Sequence, residues 1–207
     1  MTDDPLRMYL VLLRGAVGEL SRAGVLAGAA AVACVREFAD DPTMAEWLPR
    51  PGKVCLRART ESQWRQVLEL PHTLAGDAAA ALPPRRRSER GPLLERLQAM
   101  STELEPPPET APARDGAVTY LLNPAITMSS GKTIAQIAHA AVMAAETLDE
   151  WVTAGCPGQV IAPDRATFAA ACTRDDLAAK VVDAGLTEVP PGTITVVALA
   201  PPGPAHA

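Results

Sequence analysis

Apolar runs of two kinds alternate along the chain. The short ones are MYLVLLR (residues 8–14), AVTYLLN (117–123), GQVIAP (158–163), AAKVVDAG (178–185) and TITVVALAP (193–201). They are rich in Val, Leu and Ile, and each has the length of a strand. KVCLRAR (53–59) alternates apolar with basic residues and reads as a strand with a basic face. The longer runs, 19–38, 131–151 and 165–173, are rich in alanine and read as helices. Residues 61–70 form an amphipathic pattern that starts after Thr60, an N-cap residue type. From 117 onward the order is β-α-β-α-β-β, with Pro190-Pro191-Gly192 turning the chain between the last two strands. Helices between strands predict an α/β fold, a mixed four-stranded sheet sandwiched by helices.

The same pattern is written twice. Shifted by 109 residues, MYLVLLR falls on AVTYLLN, and each leads into an alanine-rich helix. With a small gap, Trp47 falls on Trp151, and Gly52-Lys53-Val54 falls on Gly158-Gln159-Val160. The first copy then stops, with nothing matching the last two strands, so the fold is expected twice with the first copy incomplete. Residues 82–116 are rich in proline and arginine and read as a linker. A short helix within it, 92–105, carries Leu93, Leu94, Leu97, Met100 and Leu104, a stripe that could dock on a domain. The expected organisation is a degenerate module at 1–81, the linker at 82–116 and a complete module at 117–207.

Composition narrows the partners. The chain of 207 residues carries a net charge of −5, and only 3% of it is aromatic, so Ala, Val and Leu do the packing. A free-standing nucleic-acid binder is usually basic, because phosphate neutralisation dominates its affinity. Residues 1–115 hold 15 Lys and Arg against 16 Asp and Glu; residues 116–207 hold 4 against 8. Cys34, Cys55, Cys156 and Cys172 have neither disulfide-framework nor metal-ligand spacing and are expected to be reduced thiols. The start, MTDDPLR, is acidic, unlike a secretory leader. The most apolar tract, 23–35, is too short to span a bilayer. A cytoplasmic protein is expected.

Gly131-Lys132-Thr133 has the ending of a phosphate-binding loop. That loop requires a glycine at 126, where this chain has Ile126, and Pro124 and Met128 disfavour a wrapped nest of amides. Nucleotide hydrolysis is set aside. Lys132, Gln136 and His139 instead stand on one helix face at i, i+4 and i+7, on a helix that is otherwise small and apolar. A second polar cluster follows the third strand of this half and contains Asp183, Thr187, Glu188 and Thr193.

Together the two stretches resemble the type 2, archaeal/eukaryotic-type peptidyl-tRNA hydrolase family. The family's G-K-x-x-A-Q-x-x-H-A is matched by Gly131 to Ala140, and its D-A-G-x-T-x-[IV]-x-P-G-[ST]-x-T-V by Asp183 to Val196. The resemblance covers about 117–202 and extends weakly to 8–71. It implies hydrolysis of the ester between a peptide and the 3′ end of tRNA, with no metal or cofactor, usually by a homodimer. Such a reaction needs a placed water, a group to take its proton and donors for an oxyanion. On this chain the resemblance implies Asp183 as base or water-orienting group and Lys132 facing the oxyanion or the terminal phosphates. Thr187 and Thr193 would be hydroxyl donors, and Gln136 would orient a ligand carbonyl, with His139 one step further along the helix. Three departures each remove positive charge: Ser129-Ser130 precede Gly131-Lys132 where a second lysine is common, Asn123 follows the first strand in place of arginine, and Leu186 stands where arginine is usual. The N-terminal half could supply what is lost, through Arg14, Arg57, Arg59, Arg85, Arg86 and Arg87, which are expected to bind tRNA. The chain would then be an internal pseudo-dimer, with homodimerisation the other possibility. Two further readings stand beside the esterase: a catalytically weak or inactive tRNA- or protein-binding module, and a hydrolase of another acyl or nucleotide ester.

Overall fold

A computed structural model describes residues 4–101 and 104–202. It contains two mixed sheets. The first comprises β1 (Leu6–Leu13), β2 (Lys53–Ala58), β3 (Thr73–Ala75), β4 (Ala79–Arg86) and β5 (Gln98–Ala99), in the order β3-β4-β1-β2-β5. The second comprises β6 (Val118–Leu122), β7 (Gly158–Ile161), β8 (Leu177–Val182) and β9 (Ile194–Leu199), in the order β7-β6-β9-β8. β1 runs parallel to β2, as β6 does to β7. β4 is antiparallel to β1 and β3, as β9 is to β6 and β8. Apart from β5, the two sheets have the same strand order and the same directions.

The two strands expected to be missing from the first half are therefore present. β4 includes Leu82–Arg86, which the sequence pattern assigns to the linker. Its two prolines cannot donate to a ladder, which is why the stretch reads poorly as a strand. The pairing with β1 shifts register between Arg7 and Tyr9, opposite Leu82 and Arg85, so Pro83 and Pro84 fall in the irregularity. The expected helix at 92–105 is shorter: α4 spans Gly91–Arg96, and the chain then extends into β5. Its leucines do dock, with Leu94 and Leu97 buried under the first sheet and Met100 buried in the central core.

The other helices are α1 (Leu20–Glu37), α2 (Pro42–Trp47), α3 (Glu61–Leu68), α5 (Ser130–Ala144), α6 (Asp149–Thr153) and α7 (Arg165–Cys172). The run at 131–151 is thus two helices, α5 and α6. Polar caps set the starts: Asp41 accepts from the Thr43 amide, Thr60 from Gln63, Ser129 from Lys132 and Asp164 from Thr167. α1 and α5 are apolar nearly all round, the mark of a buried helix. They pack on each other between the two sheets, and the inner faces of both sheets join them in one continuous core. Close approach depends on small residues. A Cβ on Gly24 would lie 2.5 Å from Ile137 Cδ1, and one on Gly28 would lie 3.0 Å from the Ala141 Cβ. The outer face of the first sheet is covered by Trp64, Val67, Leu94 and Leu97, and that of the second by Phe168 and Ala171. Among the described residues, no helix is long and apolar enough to cross a membrane, and all four cysteines are free.

The structure also corrects the offset between the halves. Trp47 Nε1 donates to the Gly52 carbonyl at 2.7 Å, and the same oxygen accepts from the Met8 amide. Trp151 Nε1 donates to the Pro157 carbonyl at 2.7 Å, and that oxygen accepts from the Val118 amide. Met8 therefore matches Val118, one residue beyond the expected shift. Met8, Leu10 and Leu12 face the central core, as do Val118, Tyr120 and Leu122. A one-residue slip would turn every one of these side chains to the opposite face. At the corrected offset the N-terminal positions matching Lys132, Gln136 and His139 are Arg22, Leu26 and Ala29.

Candidate active site

The site forms where the first turn of α5 meets the loop between β8 and β9. Asp183 follows β8 directly, and its residue is only 7% exposed. Lys132 Nζ donates to its Oδ2 at 2.5 Å and to Thr187 Oγ1 at 3.0 Å. Gln136 Nε2 also donates to Asp183 Oδ2, at 2.8 Å, and the Gly185 amide donates to Oδ1 at 2.8 Å. Burial by itself would raise the Asp183 carboxyl. The hydrogen bond from Lys132, the Gly185 amide, the Lys132 charge and Gln136 outweigh it and hold the group below the usual carboxylate range.

Backbone geometry shapes the loop around that carboxylate. The Asp183 amide donates to the Thr193 carbonyl, and the Asp183 carbonyl accepts from Gly192. Gly185 has φ +76°, and a Cβ there would collide with Pro191, so both conformation and space require glycine. The corresponding β3–β4 connection in the N-terminal half is only the turn Gly76-Asp77-Ala78, which has no room for such a loop.

Lys132, Gln136, Asp183 and Thr187 are thus brought together as a bonded cluster. Thr193 lies in the same loop, but its hydroxyl donates to the Pro190 carbonyl at 2.7 Å and serves the turn. His139 lies one turn beyond Gln136 and makes no hydrogen bond among the described residues. Burial, followed by the charge on Lys53, pulls its imidazole down to about 3, so it is neutral at working pH. Gln136 is engaged at both ends of its amide: one N–H is spent on Asp183, and its Oε1 accepts from Thr195 Oγ1 at 2.7 Å. That bond fixes the amide so that its NH2 faces Asp183.

Two residues here had no role assigned from sequence. Thr195 is fully buried and orients Gln136 from β9. Glu188 binds the Ser129 amide at 2.6 Å and the Ser129 hydroxyl at 2.7 Å, tying the loop to the cap of α5. A carboxylate at a helix N-terminus is electrostatically favoured there. The signal for Thr195 lay in the second motif itself, as a polar residue inside an apolar strand. Glu188 stood in the second polar cluster, but nothing local paired it with Ser129. Asn123, in place of arginine, is held by bonds to the Ile194 carbonyl and the Ala125 amide, and Leu186 is 75% exposed.

The arginines expected to bind tRNA separate into two groups. Arg14 ends β1, and its amide bonds Ala58 at the end of β2, where Arg57 and Arg59 share the Gln98 side chain. Gln98 begins the segment that reaches α5: the Ser130 amide donates to the Ser101 carbonyl, and Gly131 packs against Met100. Arg85, Arg86 and Arg87 lie at the opposite end of the sheet, since Leu6 pairs with Arg86 and Arg7 with Arg85. Arg86 is held by Glu46 and the Asp4 carbonyl.

Lys53, from the N-terminal half, faces the same core. Its Nζ lies 4.7 Å from the Trp47 ring centroid and donates to the Pro51 carbonyl, with no carboxylate partner among the described residues. Burial pulls its ammonium down to about 7. The unfolded chain then holds a proton that the folded chain lacks between about pH 7 and the ordinary lysine value. Stability is expected to rise with pH across that window, by at most about 1.4 kcal/mol per unit. Lys53→Met should stabilise the protein at pH 7 and flatten the rise. Denaturant melts at pH 7 and pH 9 check this; equal slopes for wild type and variant would refute it.

The family model described as peptidyl-tRNA hydrolase PTH2 matches residues 118–206. A peptidyl-tRNA hydrolase of Staphylothermus marinus is 39% identical over 94 residues, covering 39% of this chain and 77% of that protein. No solved structure matches. The matched region contains β6 to β9, α5 and the whole Lys132–Asp183 cluster, and this chain belongs to the peptidyl-tRNA hydrolase PTH2 family.

Proposed function

We propose that the chain hydrolyses the ester bond of peptidyl-tRNA in the cytoplasm, releasing a peptide carboxylate and a tRNA with a free 3′ ribose hydroxyl. The observation that carries this reading is the Lys132–Asp183–Thr187–Gln136 cluster, which joins both family motifs in one bonded network. A water oxygen attacks the ester carbonyl carbon and the bond to the ribose oxygen breaks; one proton of the water ends on that oxygen and the other is released to solvent as the peptide acid ionises. Among the described residues, Asp183 Oδ1 accepts only the Gly185 amide, which leaves a lone pair for that water. A carboxylate held below its usual range is a weak base, so Asp183 orients the water more than it strips it. Thr187 accepts from Lys132, which leaves its own hydrogen to donate to the developing oxyanion beside the ammonium. Gln136 and Thr195 act as positioning residues for Asp183.

The N-terminal half serves in this reading as a built-in partner, a duplicate that keeps the fold and lacks the site loop. Its repeated strand order, the shared core and the contact of Met100 and Ser101 with α5 support this. Arg14, Arg57 and Arg59 are the tRNA contacts best placed beside the catalytic helix. The test is release of a labelled N-acetyl-aminoacyl group from tRNA by the full chain at low and physiological salt. Release is expected, with a rate that falls as salt rises. No release at low salt from folded protein would sink the esterase reading and leave a binding module.

A further inference from the structure

The N-terminal sheet carries a second recess, of about 370 Å³, lined by Pro5, Arg7, Tyr9, Val54, Arg87 and Arg90. It opens at the start of β1, on the face away from α1 and α5. Tyr9 and Val54 belong to the outer core cluster of this sheet. The recess is therefore separate from the Lys132–Asp183 cluster and lies outside the matched family region.

Its charge is unbalanced. The guanidiniums of Arg7 and Arg87 have no acid partner among the described residues. Among the described residues the Arg7 side chain donates only to the Leu6 carbonyl, and it lies where a Cβ on Gly52 would be, so the bare backbone of Gly52 makes room for it. Arg90 has a carboxylate 3.9 Å away, that of Glu95, but its Nε is buried without an acceptor. The other nearby acids are already engaged. Glu46 holds Arg86, Asp4 binds Ser88 and the amides of Arg87 and Ser88, and Glu89 caps the Arg86 amide. Burial raises the Tyr9 hydroxyl, and the charges of Arg90, Arg85, Arg7 and Arg87 oppose that rise; three of these arginines line the recess beside the ring. Several guanidiniums around a polar recess with an apolar wall form the arrangement that recognises a phosphate through charge-assisted bonds.

We infer that this recess is a binding site for a phosphoryl group, with Arg7, Arg87 and Arg90 as its donors and Tyr9 and Val54 as the wall for an attached sugar. The volume suits one phosphate with its sugar. The phosphate comes either from a nucleic-acid backbone or from a free phosphate ester. The first source rests on the tRNA reading above; the second does not.

The test compares the full chain with Arg87→Ala and Arg7→Gln, and with Arg174→Ala as a control for simple charge loss. Thermal melts with inorganic phosphate and with adenosine monophosphate, at constant ionic strength, form one arm. Binding of deacylated tRNA against salt forms the other. A rise in melting temperature that both recess variants abolish and the control keeps identifies a free phosphate ester. A tRNA affinity about tenfold weaker in both variants, with a salt slope shallower by about 1, identifies the backbone. If the recess variants match the control in both arms, the site does not exist. Arg87 is exposed, so its variant keeps the test valid should Arg7→Gln fail to fold. Ester hydrolysis by wild type is read separately, so loss of the esterase reading and loss of this site are distinguishable.

Discussion

Lys132→Ala is expected to lower turnover of peptidyl-tRNA by roughly two orders of magnitude or more, the usual cost of removing a principal electrostatic group. The side chain bridges Asp183 and Thr187, so its loss removes the cation and also frees both partners. Asp183→Asn should fall by a similar factor for a different reason. The shape is kept, but an amide NH2 would face the donors Lys132 and Gln136, or rotate and lose the Gly185 bond. In both cases kcat should fall far more than KM rises, since tRNA binding is spread over remote contacts. Single-turnover release from N-acetyl-aminoacyl-tRNA measures this; wild-type rates in both variants would remove the cluster from the chemistry.

The pH profile supplies an independent check. Asp183 sits below the usual carboxylate range, and His139 is pulled down to about 3. No acid limb from either group is therefore expected between pH 5 and 7. Asp183 contributes stability that is fully present above the ordinary aspartate value and is lost as pH falls through its lowered one. His139 acts in the same direction. The unfolded chain takes up its proton near pH 6.5 and the folded chain near 3, so stability declines as pH falls between those values.

The second large effect concerns the shared core. Residues 104–207 expressed alone are expected not to persist as a stable monomer, although they contain the entire bonded cluster. α5 lies in the middle of the molecule: Ile137 meets Gly24, and Ala141 and Tyr120 meet Gly28. Removing α1 and the first sheet would expose this face. Each large side chain uncovered forfeits about 1.5–3 kcal/mol, and a few of them equal the whole stability of a domain, about 5–15 kcal/mol. The fragment should either self-associate through α5 or lose its cooperative melt. Light scattering and circular dichroism decide; a monodisperse monomer melting like the intact chain would show that the halves are independent.

Much of this protein was determined by local sequence. Strands 8–14, 53–59 and 117–123 and the helices after them were legible from run length and alanine content, and Thr60 did cap its helix. Lys132, Asp183 and Thr187 were legible because each sits in a contiguous motif whose spacing survives without knowledge of the fold. Tertiary structure decided the rest. β1 is buried on both faces, so no polar alternation marked its register, and the offset between the halves came out one residue short. β4 was hidden by two prolines that only a register shift opposite β1 could accommodate. The Thr195–Gln136–Asp183 chain, the Glu188 clamp on Ser129 and the separation of the arginines between two ends of a sheet all depend on strand pairing over long stretches of chain. Hydrophobic patterning specifies which residues are buried. Which buried residues face one another is set by sheet order and by how closely α1 and α5 can approach, and that is where the site and its N-terminal support arise.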